Sequence, residues 1–369
     1  MAFETEIEGI TAALVSEKLD EIEKLRTIIK EVENYTKSIR DEIILKIGTP
    51  KKDDLKKDII AVDGSSYQEQ FDSITVTIAT AYIYSQKKIE ERHLPTIKIL
   101  APYYASLITS VNMKNLEYKI VLDLLKENKI SPDLILLDGS ICFPDEALAN
   151  YIDNVPLMKE AYNEYKETTN DFYKLILKEG IPTLALSKDP TANKYLIAIY
   201  KSLSDPSEHD EINPNSLKNL GFVKKLNNKN IYNLVSENAF IKKLMANRLF
   251  VRTKYLEITR SLRNDLPVKI LRNNVCGFYF KTIDEQRPFF VEMPAYFKDN
   301  IDELTQLLSS LSYYSLRRGY PFPLYVAHKR VSLKKKYCKN IVTLVRNIAS
   351  NELGKDYIDI FEPIFHDKL

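Results

Sequence analysis

The sequence predicts an α/β fold with a mixed central sheet, and three observations carry that expectation. Two short apolar runs, Ile59-Ile60-Ala61-Val62 and Leu134-Ile135-Leu136-Leu137, are each followed by the same triplet, Asp63-Gly64-Ser65 and Asp138-Gly139-Ser140. Four apolar residues are too few for a helix and suit a central strand buried on both faces. Around these runs, stretches of period-two, β-branched character alternate with stretches that repeat every three or four residues. Each run also places a carboxylate where the strand is expected to leave the sheet, and strand ends are where α/β folds do their chemistry.

Taken in order, residues 5–45 read as a helix, because Leu14, Leu19, Ile22, Leu25, Ile28, Ile29, Val32, Ile39 and Ile43 recur at three- and four-residue steps. Such a stripe packs on its own domain or forms a coiled-coil seam with a second copy, and the sequence leaves both open. The charged run at 51–57 is a solvated connector. After the strand ending at Asp63, residues 74–85 alternate as a second strand and 96–104 suggest a third. Short connections make these three an antiparallel meander. A helix at about 113–128 leads to the strand ending at Asp138, and a helix at about 156–179 leads to a strand at 181–188. Three meandering strands, helix, strand, helix, strand is the order of a ribonuclease H-like core.

Residues 189–270, punctuated by Pro190, Pro206, Asn213-Pro214 and the run at 227–230, read as an insertion or subdomain with helical pieces near 192–203 and 237–261. Strand signals return at 276–283 and 288–294, and helices near 299–318, 323–336 and 338–352 close the chain. The expected organisation is an N-terminal helical segment (1–50), a main domain (58–335) and a C-terminal helical tail (336–369). Within the main domain the core is 58–188 and the late part 275–335.

Composition narrows the class. With 44% hydrophobic and 28% charged residues the chain is globular rather than disordered, and a net charge of +2 restricts any nucleic-acid surface to a local patch. Cys142, Cys276 and Cys338 are too few and too scattered for a disulfide framework or a zinc pattern. The acidic N-terminus lacks the features of a signal peptide, and no apolar run approaches the ~20 residues that span a bilayer. The expectation is a cytoplasmic protein with no membrane association.

If the two acid-ended strands are neighbours, Asp63 and Asp138 face each other, and like charges held that close repel unless a cation lies between them. A divalent-metal site follows. On the preceding helix Glu117 shares a stripe with Ile120, Val121 and Leu124, which aims its carboxylate inward. A buried charge must be paired or coordinated, so Glu117 is a third ligand or, alternatively, a salt-bridged residue at the rim. Oxygen ligands suit Mg²⁺ or Mn²⁺. Two such ions ~3.5–4 Å apart can activate water and stabilise the leaving oxygen in phosphodiester hydrolysis. One Asp-Gly-Ser alone is an ordinary turn signal, whereas two on matching strands with an inward Glu are more specific.

Pro323 suits the first turn of a helix on which Leu324, Ala327, His328 and Val331 share one side. His328 is therefore a satisfied core histidine, or a metal ligand or proton-transfer group. His93, His209 and His366 lie in polar or terminal stretches and carry no assigned role. Lys188, just past a strand, ends on the same sheet as the acids and could neutralise a scissile phosphate, unless it is merely a solvated loop lysine. Arg317, Arg318, Lys329, Arg330 and Lys334-Lys335-Lys336 interleave with Tyr313, Tyr314, Tyr320 and Tyr325. Cations for phosphates and aromatic faces for bases are what single-stranded nucleic acid needs, although a charge run is often only a solvated helix face.

AVDGSS around Asp63, the inward Glu117, LLDGS around Asp138, Lys188, VEMP at 291–294 and GYPFPLYVAH ending at His328 occur in one order across roughly 58–335. In this the chain resembles the NurA nucleases, the first and last of those blocks being the specific ones. The resemblance implies a ribonuclease H-like, manganese-dependent DNA nuclease with two ions per site, Mg²⁺ being compatible with the same ligands. It further implies a homodimer docked on the hexameric HerA ATPase, processing DNA ends for recombinational repair with 5′-to-3′ exonuclease and single-strand endonuclease activity. By position, Asp63, Glu117 and Asp138 would hold metal, His328 would be a further ligand, and Tyr320 would match the family's functional tyrosine. Two other readings stand beside it. A phosphotransferase of the actin and sugar-kinase type also ends strands in acid-glycine, but nine glycines include no loop to cradle a nucleotide. A non-catalytic adaptor of a DNA translocase would suit the long N-terminal helix and weak net charge.

Overall fold

In the computed structural model, the described residues are 18–19, 23, 26, 30, 34, 36–37, 39–87, 92–141, 155–188, 194–204, 207–208, 210–213, 236–258, 274–283, 287–315, 319–353 and 360–361. One mixed sheet runs through them. Its strands are β1 (Ile44–Lys46), β2 (Ile59–Gln70), β3 (Thr75–Ser85), β4 (Arg92–Leu100), β5 (Leu134–Asp138), β6 (Thr183–Ser187), β7 (Val251–Thr253), β8 (Leu256–Glu257), β9 (Val275–Lys281) and β10 (Phe289–Pro294). They lie in the order β1-β7-β9-β10-β6-β5-β2-β3-β4, with β8 paired onto β9. The segment β4-β3-β2-β5-β6 is the expected ribonuclease H-like core: an antiparallel meander joined through β2 to the parallel strands β5 and β6. Beyond β6 the sheet continues antiparallel through β10, β9 and β7 to β1.

The apolar runs are continuous because helices cover both faces of the sheet. Ile60, Val62, Ile135, Leu137 and Ala185 pack with α1 (Pro102–Lys126) and α2 (Pro156–Glu179). The alternate residues Ile59, Ala61, Leu134, Leu136, Leu184 and Leu186 pack with α5 (Ile301–Tyr313) and α6 (Phe322–Val331) on the other face. Each fully buried aliphatic side chain contributes roughly 1.5–3 kcal/mol. Two shorter helices, α3 (Lys194–Ser204) and α4 (Glu237–Leu244), lie between β6 and β7 in the chain. The last, α7 (Lys335–Leu353), carries Cys338 and Val342 onto Phe71, Val76 and Ile78 at the far end of β2 and β3.

Several boundaries differ from the sequence reading. Every described residue from Lys18 to Ile43 is helical, but the chain then enters β1, and Ile39 and Ile43 are buried in the core. The third strand spans 92–100 rather than 96–104, and α1 begins eleven residues before the expected 113, because Pro102 opens it at its first turn. The expected helix 237–261 stops at Leu244. Asn247 (φ 58°) and Phe250 (φ 51°) take left-handed conformations that no helix continues, and β7 and β8 follow. The described parts of 189–270 therefore include two strands of the main sheet. The helix expected at 323–336 ends at Val331, and that at 299–318 is a short 3₁₀ turn followed by α5. No helix among the described residues is long and apolar enough to cross a membrane. Cys276 and Cys338 are buried free thiols, and Cys142 lies outside the described residues.

Candidate metal centre

Sheet register builds the site. In the parallel pair β2–β5, Val62 is opposite Leu137, and that pairing ends there. The next residue on each strand is the acid. Asp138 closes β5, but Asp63 does not close β2, which stays paired with β3 as far as Gln70. The expectation that Asp63 ends its strand is thus corrected: it stands at the end of the parallel half of the sheet, inside a longer antiparallel strand. By period two, Asp63, Asp138 and Lys188 fall on the face of Ile59, Leu134 and Leu184, the one covered by α5 and α6.

Helix α6 packs across β2, β3 and β5 and brings in the imidazole. His328 Nδ1 lies 2.8 Å from Asp63 Oδ2 and 4.0 Å from Asp138 Oδ2. One ligand atom from each of Asp63, Asp138 and His328 falls within 4.8 Å of the others. Lys188 donates to Asp138 Oδ2 at 2.8 Å, and its ammonium sits 4.6 Å from the centroid of the Tyr320 ring. That ring is 3% exposed and packs against Phe289 at 5.3 Å. Tyr320 is therefore a wall of this site rather than a stacking face in the basic stripe.

Glu117 approaches from the opposite side, on α1. Lys114, one turn earlier, donates to Glu117 Oε2 at 2.6 Å and to the Asp138 main-chain oxygen at 2.5 Å. The two glycines of the repeated triplet make this approach possible. A Cβ on Gly64 would meet Glu117 Oε1 at 2.5 Å and Met113 Cγ at 2.6 Å. A Cβ on Gly139, whose φ is +102°, would meet Lys114 Nζ at 2.8 Å. Each acid is thus followed by a gap for a side chain of α1.

Burial pushes the Asp63 carboxyl above its usual range and the charge of Asp138 adds to this, while His328 and Lys188 oppose it. Glu117 is pushed up to about 8 by burial, against the pull of Lys114, with Asp63 and Asp138 adding to the rise. Burial works against the Lys114 ammonium, but Glu117 outweighs it, and the group stays charged. Without metal, the folded protein keeps a proton on Glu117 that the unfolded chain releases near 4.5. Stability then falls as pH rises from about 4.5 to about 8. Thermal melts in EDTA across that window are expected to drop by several degrees for the wild type and much less for Glu117→Gln. Parallel curves would show that Glu117 does not carry the proton.

The structure also places residues that the sequence reading missed. Glu292, fully buried on β10, accepts from Ser140 Oγ at 2.8 and 2.9 Å, from the Ile141 amide at 2.7 Å and from Lys194 Nζ at 2.8 Å. It latches the loop that follows Asp138. A lone acid inside the apolar strand Phe289–Pro294 was the available signal. For Lys114 the signal was its three-residue step to Glu117 on the inward face. Of the proposed basic stripe, Lys329, Arg330 and Lys334–Lys336 are exposed, as are Tyr313 and Tyr314, while Arg317 and Arg318 lie outside the described residues. Tyr325 is half-buried beneath Lys329. His93 packs on Tyr82, and His209 and His366 lie outside the described residues.

Comparison with protein families gives a match to the NurA domain over residues 57–333, well over half of the chain. The chain belongs to the NurA family. Among solved structures it is similar to the NurA nuclease from Sulfolobus solfataricus, with 17% identity, 91% of this chain and 98% of that one covered, and a TM-score of 0.56. A NurA structure with manganese matches at 16% identity over 94% and 98% of the two chains (TM-score 0.43), and a NurA bound to dAMP and manganese at 15% over 90% and 95% (TM-score 0.39). No curated protein matches.

Proposed function

We propose that this NurA-family chain is a metal-dependent deoxyribonuclease using Mn²⁺. The observation that carries the reading is the convergence of Asp63, Asp138 and His328 at adjacent strands of a ribonuclease H-like sheet. The residues fit a divalent ion. Two carboxylates that resist joint ionisation gain a counter-charge, and an imidazole nitrogen supplies a third ligand. Carboxylate oxygens suit Mg²⁺ and Mn²⁺ alike, and the nitrogen ligand moves the preference away from Mg²⁺, which is bound through oxygen. A divalent ion bound there supplies Lewis-acid stabilisation of phosphate charge and an acidified water.

The chain's own groups complete the chemistry. Lys188, braced between Asp138 and the Tyr320 ring, offsets the charge of the scissile phosphate. Asp63 holds the imidazole of His328 beside the carboxylates through Nδ1, and so positions it to serve as the nitrogen ligand. The exposed cations of α6 and α7 meet backbone phosphates of the strand. Family membership supports the finer reading of a homodimer on a HerA-type hexameric ATPase, trimming DNA ends for recombinational repair as a 5′-to-3′ exonuclease and single-strand endonuclease.

End-labelled single- and double-stranded DNA tests this. Cleavage is expected with Mn²⁺ and is expected to stop in EDTA. Degradation that persists in EDTA would remove the metal from the mechanism, and inertness with Mn²⁺ both alone and with the ATPase present would favour a non-catalytic adaptor.

A further inference from the structure

We propose that Lys114 is a resident cation of this centre. Its ammonium already takes up Glu117 Oε2 and the Asp138 main-chain oxygen, oxygens that a second divalent ion would otherwise draw on, so the chain binds one Mn²⁺ tightly and any second far more weakly. The inference rests on the reading of Asp63, Asp138 and His328 as ligands of the first ion.

Lysine is among the residues least often buried, and Lys114 is only 9% exposed. Its Nζ reaches two oxygens, Glu117 Oε2 at 2.6 Å and the Asp138 main-chain oxygen at 2.5 Å. The arrangement is built in, because the gaps at Gly64 and Gly139 are filled by these two side chains, Glu117 and Lys114 respectively. Asp138 is gripped from two sides: Lys188 holds its carboxylate and Lys114 its carbonyl.

Charge points the same way. Lys114 and Lys188 already set two ammonium groups against the carboxylates of the site, so a second divalent ion would concentrate further positive charge in a mostly buried place, where such charge is costly.

The test is a titration of the full-length, metal-free chain with MnCl₂ by equilibrium dialysis, with electron paramagnetic resonance to detect exchange-coupled ion pairs. The wild type is expected to bind one Mn²⁺ tightly and give an uncoupled signal. Lys114→Met, and Lys114→Gln as the variant that keeps a polar partner for Glu117, are expected to take two with comparable affinity and a coupled signal. Adding Glu117→Gln to either should return the count to one. Circular dichroism establishes that each variant is folded before it is scored. Two ions of comparable affinity in the wild type, or one ion in a folded neutral variant, would overturn the role of Lys114 and leave the nuclease reading standing. A wild type that binds no Mn²⁺ would overturn both.

Discussion

Replacing Asp63 or Asp138 with alanine is expected to lower DNA cleavage by at least about 10³-fold while the chain remains folded. Loss of a partner one layer outside a metal's ligands typically costs 10–100-fold, and these two side chains would be direct ligands in a set of three. Folding survives for a reason specific to each acid. Asp63 is buried beside another carboxylate, so its removal relieves desolvation and repulsion. His328, which loses a partner, has a side chain 44% exposed and is met by water. Removing Asp138 releases Lys188, which is also partly exposed. Melting temperatures in EDTA should therefore stay close to wild type, with Asp63→Asn equal to it or higher. Cleavage of labelled DNA at the wild-type rate by a folded alanine variant would take that acid out of the mechanism.

The strands at the site were legible because their burial on both faces writes itself as an unbroken apolar run. The repeated triplet announced that two such strands end alike, and the parallel register of β2 and β5 makes the acids neighbours. His328 was readable from its side of a helix begun by Pro323. What could not be read was pairing across the chain. Nothing local to Asp63 reveals that β3 holds β2 in the sheet for seven more residues, to Gln70. Periodicity pointed Glu117 inward correctly, but could not reveal that Lys114 meets it there, since helical spacing leaves the lysine's rotamer open. The helix expected near 237–261 ends at Leu244, and the chain beyond it turns into β7 and β8. Left-handed residues at 247 and 250 have no strong composition signal when one of them is phenylalanine. Glu292 was hidden for the opposite reason, since one acid in an apolar strand looks like an exception until its partners arrive from residues 140, 141 and 194.

Those partners make Glu292 the position where a single change should cost the most stability. Its carboxylate is wholly buried, and Lys194, whose side chain is 13% exposed, pairs with it at 2.8 Å. Removing one member of a buried ion pair strands the other in a medium that solvates it poorly, a loss of about 3–5 kcal/mol. Glu292→Ala should lose about that much in urea unfolding, with the slope unchanged. Glu292→Gln keeps the volume but turns an amide donor toward groups that themselves donate, and should fall between. The charge argument is separable from the latch argument. Adding Lys194→Met to Glu292→Ala removes the stranded ammonium, so the double variant should recover part of the lost stability. It should not recover activity, because the loop Asp138-Gly139-Ser140 still lacks its anchor and Asp138 is no longer held toward Asp63. That loss is expected at about 10–100-fold, the range for groups that orient a ligand rather than serve as one. A Glu292→Ala variant within about 1 kcal/mol of wild type would mean that solvent reaches Lys194 once its partner is gone. A double variant regaining both stability and cleavage would mean that Asp138 is placed by its strand pairing with β6 alone.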